Sequence, residues 1–176
     1  MWWLCLLLLS QPAFTASDAE LYQMFLNQQV DDPFNPVISY NLGIGALKQK
    51  SYPAADQHLA DAIEHSERAH RLREGMYFSW ADTAANQALQ LIKTHKDLRD
   101  EPLDVAIERL ERARDRYQNA LVVNRDNQAA RSRQAAVENL RKALEEKRRK
   151  QQEEERQKQC ANVRTVNVSV SGNNHL

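Results

Sequence analysis

The chain has 176 residues, enough for one domain with tails and a proper core. Four glycines and five prolines interrupt a composition dominated by Ala, Leu, Gln, Glu, Lys and Arg, which points to an all-helical protein. Basic and acidic side chains balance at 24 each, so the whole molecule exerts no strong field on nucleic acid or anionic lipid, and charge-driven binding has to come from local clustering.

The opening "MWWLCLLLLSQPAFTA" (1–16) is apolar for nine positions and then turns small and polar. The run is too short to span a bilayer and suits the core of a signal peptide, with an uncleaved N-terminal anchor as the alternative. It lacks Lys and Arg, and Phe14 stands where a small residue is wanted before cleavage after Ala16. The expected location is the bacterial cell envelope, periplasmic or tethered to the inner membrane. Cys5 lies in this leader and Cys160 near the other end, neither in a CxxC or Cys/His setting, so an inert thiol is the expectation.

From Asp18 to Gln29, Leu21, Tyr22, Phe25 and Leu26 mark one face of a short helix, which "DDPFNP" (31–36) breaks. Pro36 suits the first turn of the next helix, whose stripe is Tyr40, Leu42, Gly43, Ala46 and Leu47. "KSYP" turns the chain, and Pro53 starts a helix through Ile63 with Ala55, Leu59, Ala62 and Ile63 on one face. A glycine inside a helix costs roughly 1 kcal/mol relative to alanine, so Gly43 and Gly45 need a packing reason, and Gly43 with Ala46 predicts close approach of the partner helix's backbone. "MYFSWADTAANQALQLIK" (76–93) predicts a long helix, with Tyr77, Trp80, Ala81, Ala84, Ala88 and Leu91 at helical spacing. A polar loop (94–102) follows, then a helix from Pro102 to Val123 and a last one over 128–159. Its apolar positions fade after Leu144, leaving a charged extension over 145–159, and 160–176 is expected to be a disordered tail.

The hairpin over 36–69 resembles the tetratricopeptide repeat (TPR). Leu42-Gly43 is followed at the family's spacing by Ala55-x3-Leu59; Phe25 and Pro33 match the tail of a preceding repeat; and Ala113-x3-Tyr117-x2-Ala120 with "NRDN" (124–127) matches the second helix of a following one. Ser39, Glu67 and Arg125 stand where the family carries an aromatic, a proline and a proline. The second unit, over about 70–127, is about 24 residues longer than the 34-residue period, and a capping helix starts at about 128. The resemblance implies antiparallel helical hairpins stacked as a short solenoid over 17–144, with a long charged C-terminal helix. It implies packing roles for Leu42, Gly43, Ala46, Ala55, Leu59, Ala62, Ala113, Tyr117 and Ala120. The first helix of each hairpin would line a groove for partner segments, here through Val37, Tyr40, Asn41, Ile44, Leu47 and Lys48. Tyr40 and Ile44 would supply apolar contact, Asn41 would pair with a ligand backbone, and Lys48 would attract a carboxylate. More narrowly, leader, "YNLG" hairpin, expanded repeat and charged terminal helix look like the small TPR component of bacterial Bat (aerotolerance) operons, which implies membrane-anchored von Willebrand A-domain proteins as partners.

Chemistry-bearing motifs are few. His58, Asp61 and His65 share a helical face that could hold a divalent metal, but one helix supplies every ligand, and an exposed polar flank fits better. "KRRK" (147–150) is bracketed by glutamates and reads as a solvated helix, not a nucleic-acid patch. Trp80 with Tyr77 reads as packing between repeats before it reads as a binding platform. With no phosphate loop, nucleophile elbow or paired buried carboxylates, the expectation is a non-catalytic protein-binding adaptor without cofactor, metal or small-molecule substrate. The alternative is a structural coiled-coil protein that self-associates through 128–159.

Overall fold

The computed structural model describes residues 17–95 and 97–172; the leader (1–16) lies outside the described residues. Among the described residues the chain is all-α, with six helices: α1 (Asp18–Asp31), α2 (Pro36–Lys48), α3 (Tyr52–Glu64), α4 (Arg73–Thr94), α5 (Asp100–Val123) and α6 (Gln128–Gly172). Each packs against its neighbours in sequence, and α2 also touches α4. Pairings such as Asp18 with Lys48, Asp56 with Trp80 and Glu74 with Asn124 make successive helices antiparallel.

Local chemistry sets most helix starts. Ser17 caps α1 in a reciprocal box: its hydroxyl accepts from the Glu20 N–H, and the Glu20 carboxylate accepts from the Ser17 N–H at 2.7 Å. Asn35 caps α2 through the N–H groups of Val37 and Ile38, and Pro36 occupies a first-turn position that needs no donor. Just past α2 and its cap Gln49, Lys50 takes the left-handed region (φ 59°), and the Ser51 N–H reaches back to the Ala46 carbonyl at 2.9 Å. α5 begins at Asp100, two residues before Pro102, because proline is tolerated throughout the first turn, whose N–H groups have no intrahelical acceptor. Two 3₁₀ turns, Ser66–Arg68 and His70–Leu72, join α3 to α4.

The core is lean and rich in alanine. Ala81, Ala84 and Ala88 give α4 a flat side, against which α5 lays Leu103, Ala106, Ile107, Leu110, Ala113, Tyr117 and Ala120, all buried. α6 adds Ala130, Val137 and Leu144, one buried residue every seven, which is the seam of two helices crossing at a shallow angle. That seam does not stop at Leu144. Arg148 pairs with Asp104 at 3.1 Å, and the Gln151 side chain donates to the Leu98 carbonyl at 3.2 Å.

Residues 160–172, expected within a disordered tail, continue α6, and 173–176 lie outside the described residues. The reason is cooperativity. Once a helix is nucleated each added residue gains a hydrogen bond, and between Gln128 and Ser171 the sequence offers no proline or glycine to stop it.

Candidate functional site

Leu42, Gly43, Ala46, Ala55, Leu59, Ala62, Ala113, Tyr117 and Ala120 are all buried. A Cβ built on Gly43 would lie 2.5 Å from Leu59 Cγ, so the bare backbone there makes room for a leucine side chain of α3. On another side of α2, a Cβ on Gly45 would fall 2.7 Å from the ring of Tyr22 on α1. The two glycines therefore accept one large side chain from each flanking helix.

The six residues expected to line a groove share the helix but not one fate. Val37 and Lys48 are exposed; Tyr40, Asn41, Ile44 and Leu47 are half-buried. Tyr40 reaches α4, where its hydroxyl would sit 3.0 Å from a Cβ on Gly75. Gly75 thus belongs to the α2–α4 contact, in the first turn of α4. The Lys48 ammonium is 2.7 Å from the Asp18 carboxylate, with both side chains more than half exposed. An expected carboxylate anchor is in this way already occupied by α1. Val37, Asn41 and Ile44, spaced i, i+4, i+7, remain as a continuous strip of α2.

Sequence reasoning missed three polar clusters that tie helices together three at a time. The first joins α3, α4 and α5: Asp56 accepts from the Trp80 indole N–H and from Arg116, each at 2.8 Å, while the Arg116 guanidinium lies 3.7 Å over the Trp80 ring and also donates to the Trp80 carbonyl. Burial pushes the Arg116 pKa down, and Asp56 opposes that shift. Arg116 covers one face of the indole, so Trp80 serves as a joint between α3, α4 and α5. The second joins α4, α5 and α6: Asp82 accepts from the Tyr117 hydroxyl and from Arg133, and Phe78 meets Tyr117 edge-on at 5.6 Å with Arg133 over its ring. Burial first, then the Asp82 hydrogen bond, raises the Tyr117 pKa above that of a free phenol. In the third, Glu74 on α4 accepts from Asn124 and Asn127, and Asn127 caps α6 through the Ala130 N–H at 2.8 Å. The "NRDN" loop is therefore both a cap and a clamp. Every carboxylate in these clusters is engaged by two donors, an arrangement that fixes helices and leaves little freedom to move protons.

The histidines of α3 do not converge on an ion. The His65 Nδ1 is 2.9 Å from the Asp61 carbonyl, which can only accept, so that nitrogen carries the proton; its ring stacks obliquely on Phe34. The Asp61 carboxylate is taken by Gln57, and His58 Nδ1 is buried without a partner. Burial lowers the His58 pKa, with Asp61 opposing. Among the described residues no group of three or more His, Cys, Asp or Glu side chains is placed to hold a metal ion, and no helix is long and apolar enough to cross a membrane. Compared with family models, curated proteins and solved structures, the chain matches none of them.

Proposed function

We propose that this chain is a non-catalytic adaptor with a TPR-like solenoid, binding a partner segment along the outer strip of α2 within a bacterial envelope complex. The observation that carries this reading is the contrast on α2 itself. Its packing residues Leu42, Gly43 and Ala46 are buried, while Val37, Asn41 and Ile44 keep apolar and hydrogen-bonding capacity toward solvent. The apolar leader of the sequence and its resemblance to Bat-operon TPR components support a periplasmic or inner-membrane-tethered complex with von Willebrand A-domain proteins as partners. Affinity purification from solubilised envelopes tests it: the wild-type chain should retain a partner that Ile44→Glu loses, with unchanged far-ultraviolet dichroism showing that the variant still folds. Equal recovery by both would remove α2 from the interface.

A second reading has its own observation. Every described side chain from 152 to 160 is exposed, and α6 runs on to Gly172, so residues 152–172 continue as a helix about 30 Å long past the Gln151–Leu98 hydrogen bond. Such a rod suits self-association as a coiled coil. Truncation after Gln151, which spares the α5–α6 seam, separates the two readings: loss of the partner with loss of oligomerisation favours the rod, and retention of the partner favours α2.

A further inference from the structure

The N-terminal end of the helical row combines two features found together nowhere else in it. The first is apolar exposure. α1 buries no residue, and of the nine large apolar side chains exposed among the described residues five fall between positions 21 and 37: Leu21, Met24, Val30, Phe34 and Val37. Leu21 and Met24, spaced i, i+3, lie on a face of α1 separate from the Tyr22 side that meets α2. The second is charge. No Lys, Arg or His precedes Lys48, whereas Asp18, Glu20, Asp31 and Asp32 do; the rest of the chain carries all 24 basic side chains against 20 acidic ones. Lys48 is bound to Asp18, so Glu20, Asp31 and Asp32 have no basic side chain as neighbour in their own stretch. Glu20 and Asp31 stand i−4 and i+7 from Met24 and bracket the apolar patch along the helix.

Resting on the adaptor reading and naming its partner's chemistry, we infer that this α1 face docks a basic amphipathic helix of a partner protein, one that presents leucine-like side chains flanked by Lys or Arg. The other occupants fit worse. A second copy pairing α1 with α1 about a two-fold axis would set Glu20 against Asp31 of its mate, a like-charge contact. An anionic membrane surface attracts helices whose polar face is basic, and this one is acidic. A basic segment satisfies both halves of the surface: its apolar stripe covers Leu21 and Met24, and its cations meet Glu20, Asp31 and Asp32.

The test is fluorescence anisotropy of the purified chain with two labelled 18-residue helical peptides that share a leucine stripe, one with lysine and one with glutamate on the polar face. The lysine peptide should bind at least tenfold more tightly, lose at least tenfold on Met24→Gln or Asp31→Lys, and weaken with added salt. Both substitutions suit a helix, and Asp31→Lys puts a cation at the α1 C-terminus where the dipole favours it, so both variants should stay folded. Equal binding of the two peptides overturns the inference. So does self-association of the chain abolished by Met24→Gln, and so does preference for anionic lipid vesicles over the peptide. Lysine-peptide binding that survives both α1 substitutions but falls with Ile44→Glu would leave the α2 strip standing as the interface and refute α1 as its basic-segment dock.

Discussion

In the α2–α3 hairpin two 13-residue helices meet through an absent side chain, Gly43 receiving Leu59. In the α4–α5 hairpin helices of 22 and 24 residues meet through an alanine stripe, clamped toward α3 by Asp56, Trp80 and Arg116 and toward α6 by Asp82, Tyr117 and Arg133. The short hairpin has little length over which to sum contacts, so its stability depends on fit at one point. The long one has length to spare, and flat alanine contact alone does not fix its register; paired charges do. One should therefore fail when volume is added, the other when a charge loses its partner.

The largest effect is expected in the long hairpin. Asp56→Ala leaves the Arg116 guanidinium, with its side chain only 12% exposed, without its carboxylate, and should cost about 3 kcal/mol in urea unfolding. A loss below about 1 kcal/mol would mean that stacking on Trp80 holds Arg116 unaided.

Next comes a series of alanines at three glycines. Each gains up to about 1 kcal/mol of helix propensity, so the sign of the net change reports packing. Gly43→Ala should lower stability by about 2 kcal/mol, because Leu59 is fully buried and its Cγ cannot swing aside. Gly45→Ala should be near neutral, since half-buried Tyr22 can rotate outward. Gly75→Ala should be neutral or stabilising, because it meets only the far end of Tyr40. Equal losses at all three would erase the distinction between the joints.

A smaller effect depends on pH. His58 is held neutral by burial, so its folded pKa lies below the ordinary 6.5 and the unfolded chain takes up the proton first. Stability is then full above 6.5 and declines as pH falls below it, by at most about 1.4 kcal/mol per pH unit in the window between the two pKa values. His58→Gln should flatten that slope in thermal melts between pH 7.5 and roughly 5. The smallest change is expected for Lys48→Ala, about 0.5 kcal/mol or less, because its pair with Asp18 is solvent-screened on both sides.

What was legible in the sequence was local. Prolines at the first turns of α2 and α3, the polar break at 31–36 and the alanine spacing of α4 place the helices within a few residues, because caps and periodicity act over one or two turns. Contacts across long separations left no such mark. Asp56 meets Arg116 sixty residues on, and nothing in the spacing of either residue points to the other. Tyr40 looked free for a ligand because its partner, Gly75, sits on another helix. Lys48 likewise looked available until Asp18 was placed beside it. Of the six residues expected along a groove, Tyr40 and Lys48 are thus taken up by contacts that only the fold reveals.

The most direct test of the adaptor reading is photo-crosslinking in cells from Ile44, on the strip, and from Tyr40, engaged with Gly75. A dominant adduct to another envelope protein from Ile44, lost with Asn41→Asp and weak from Tyr40, is the predicted result. Adducts from Ile44 only to the chain itself would contradict it and leave self-assembly through α6 as the account of this protein.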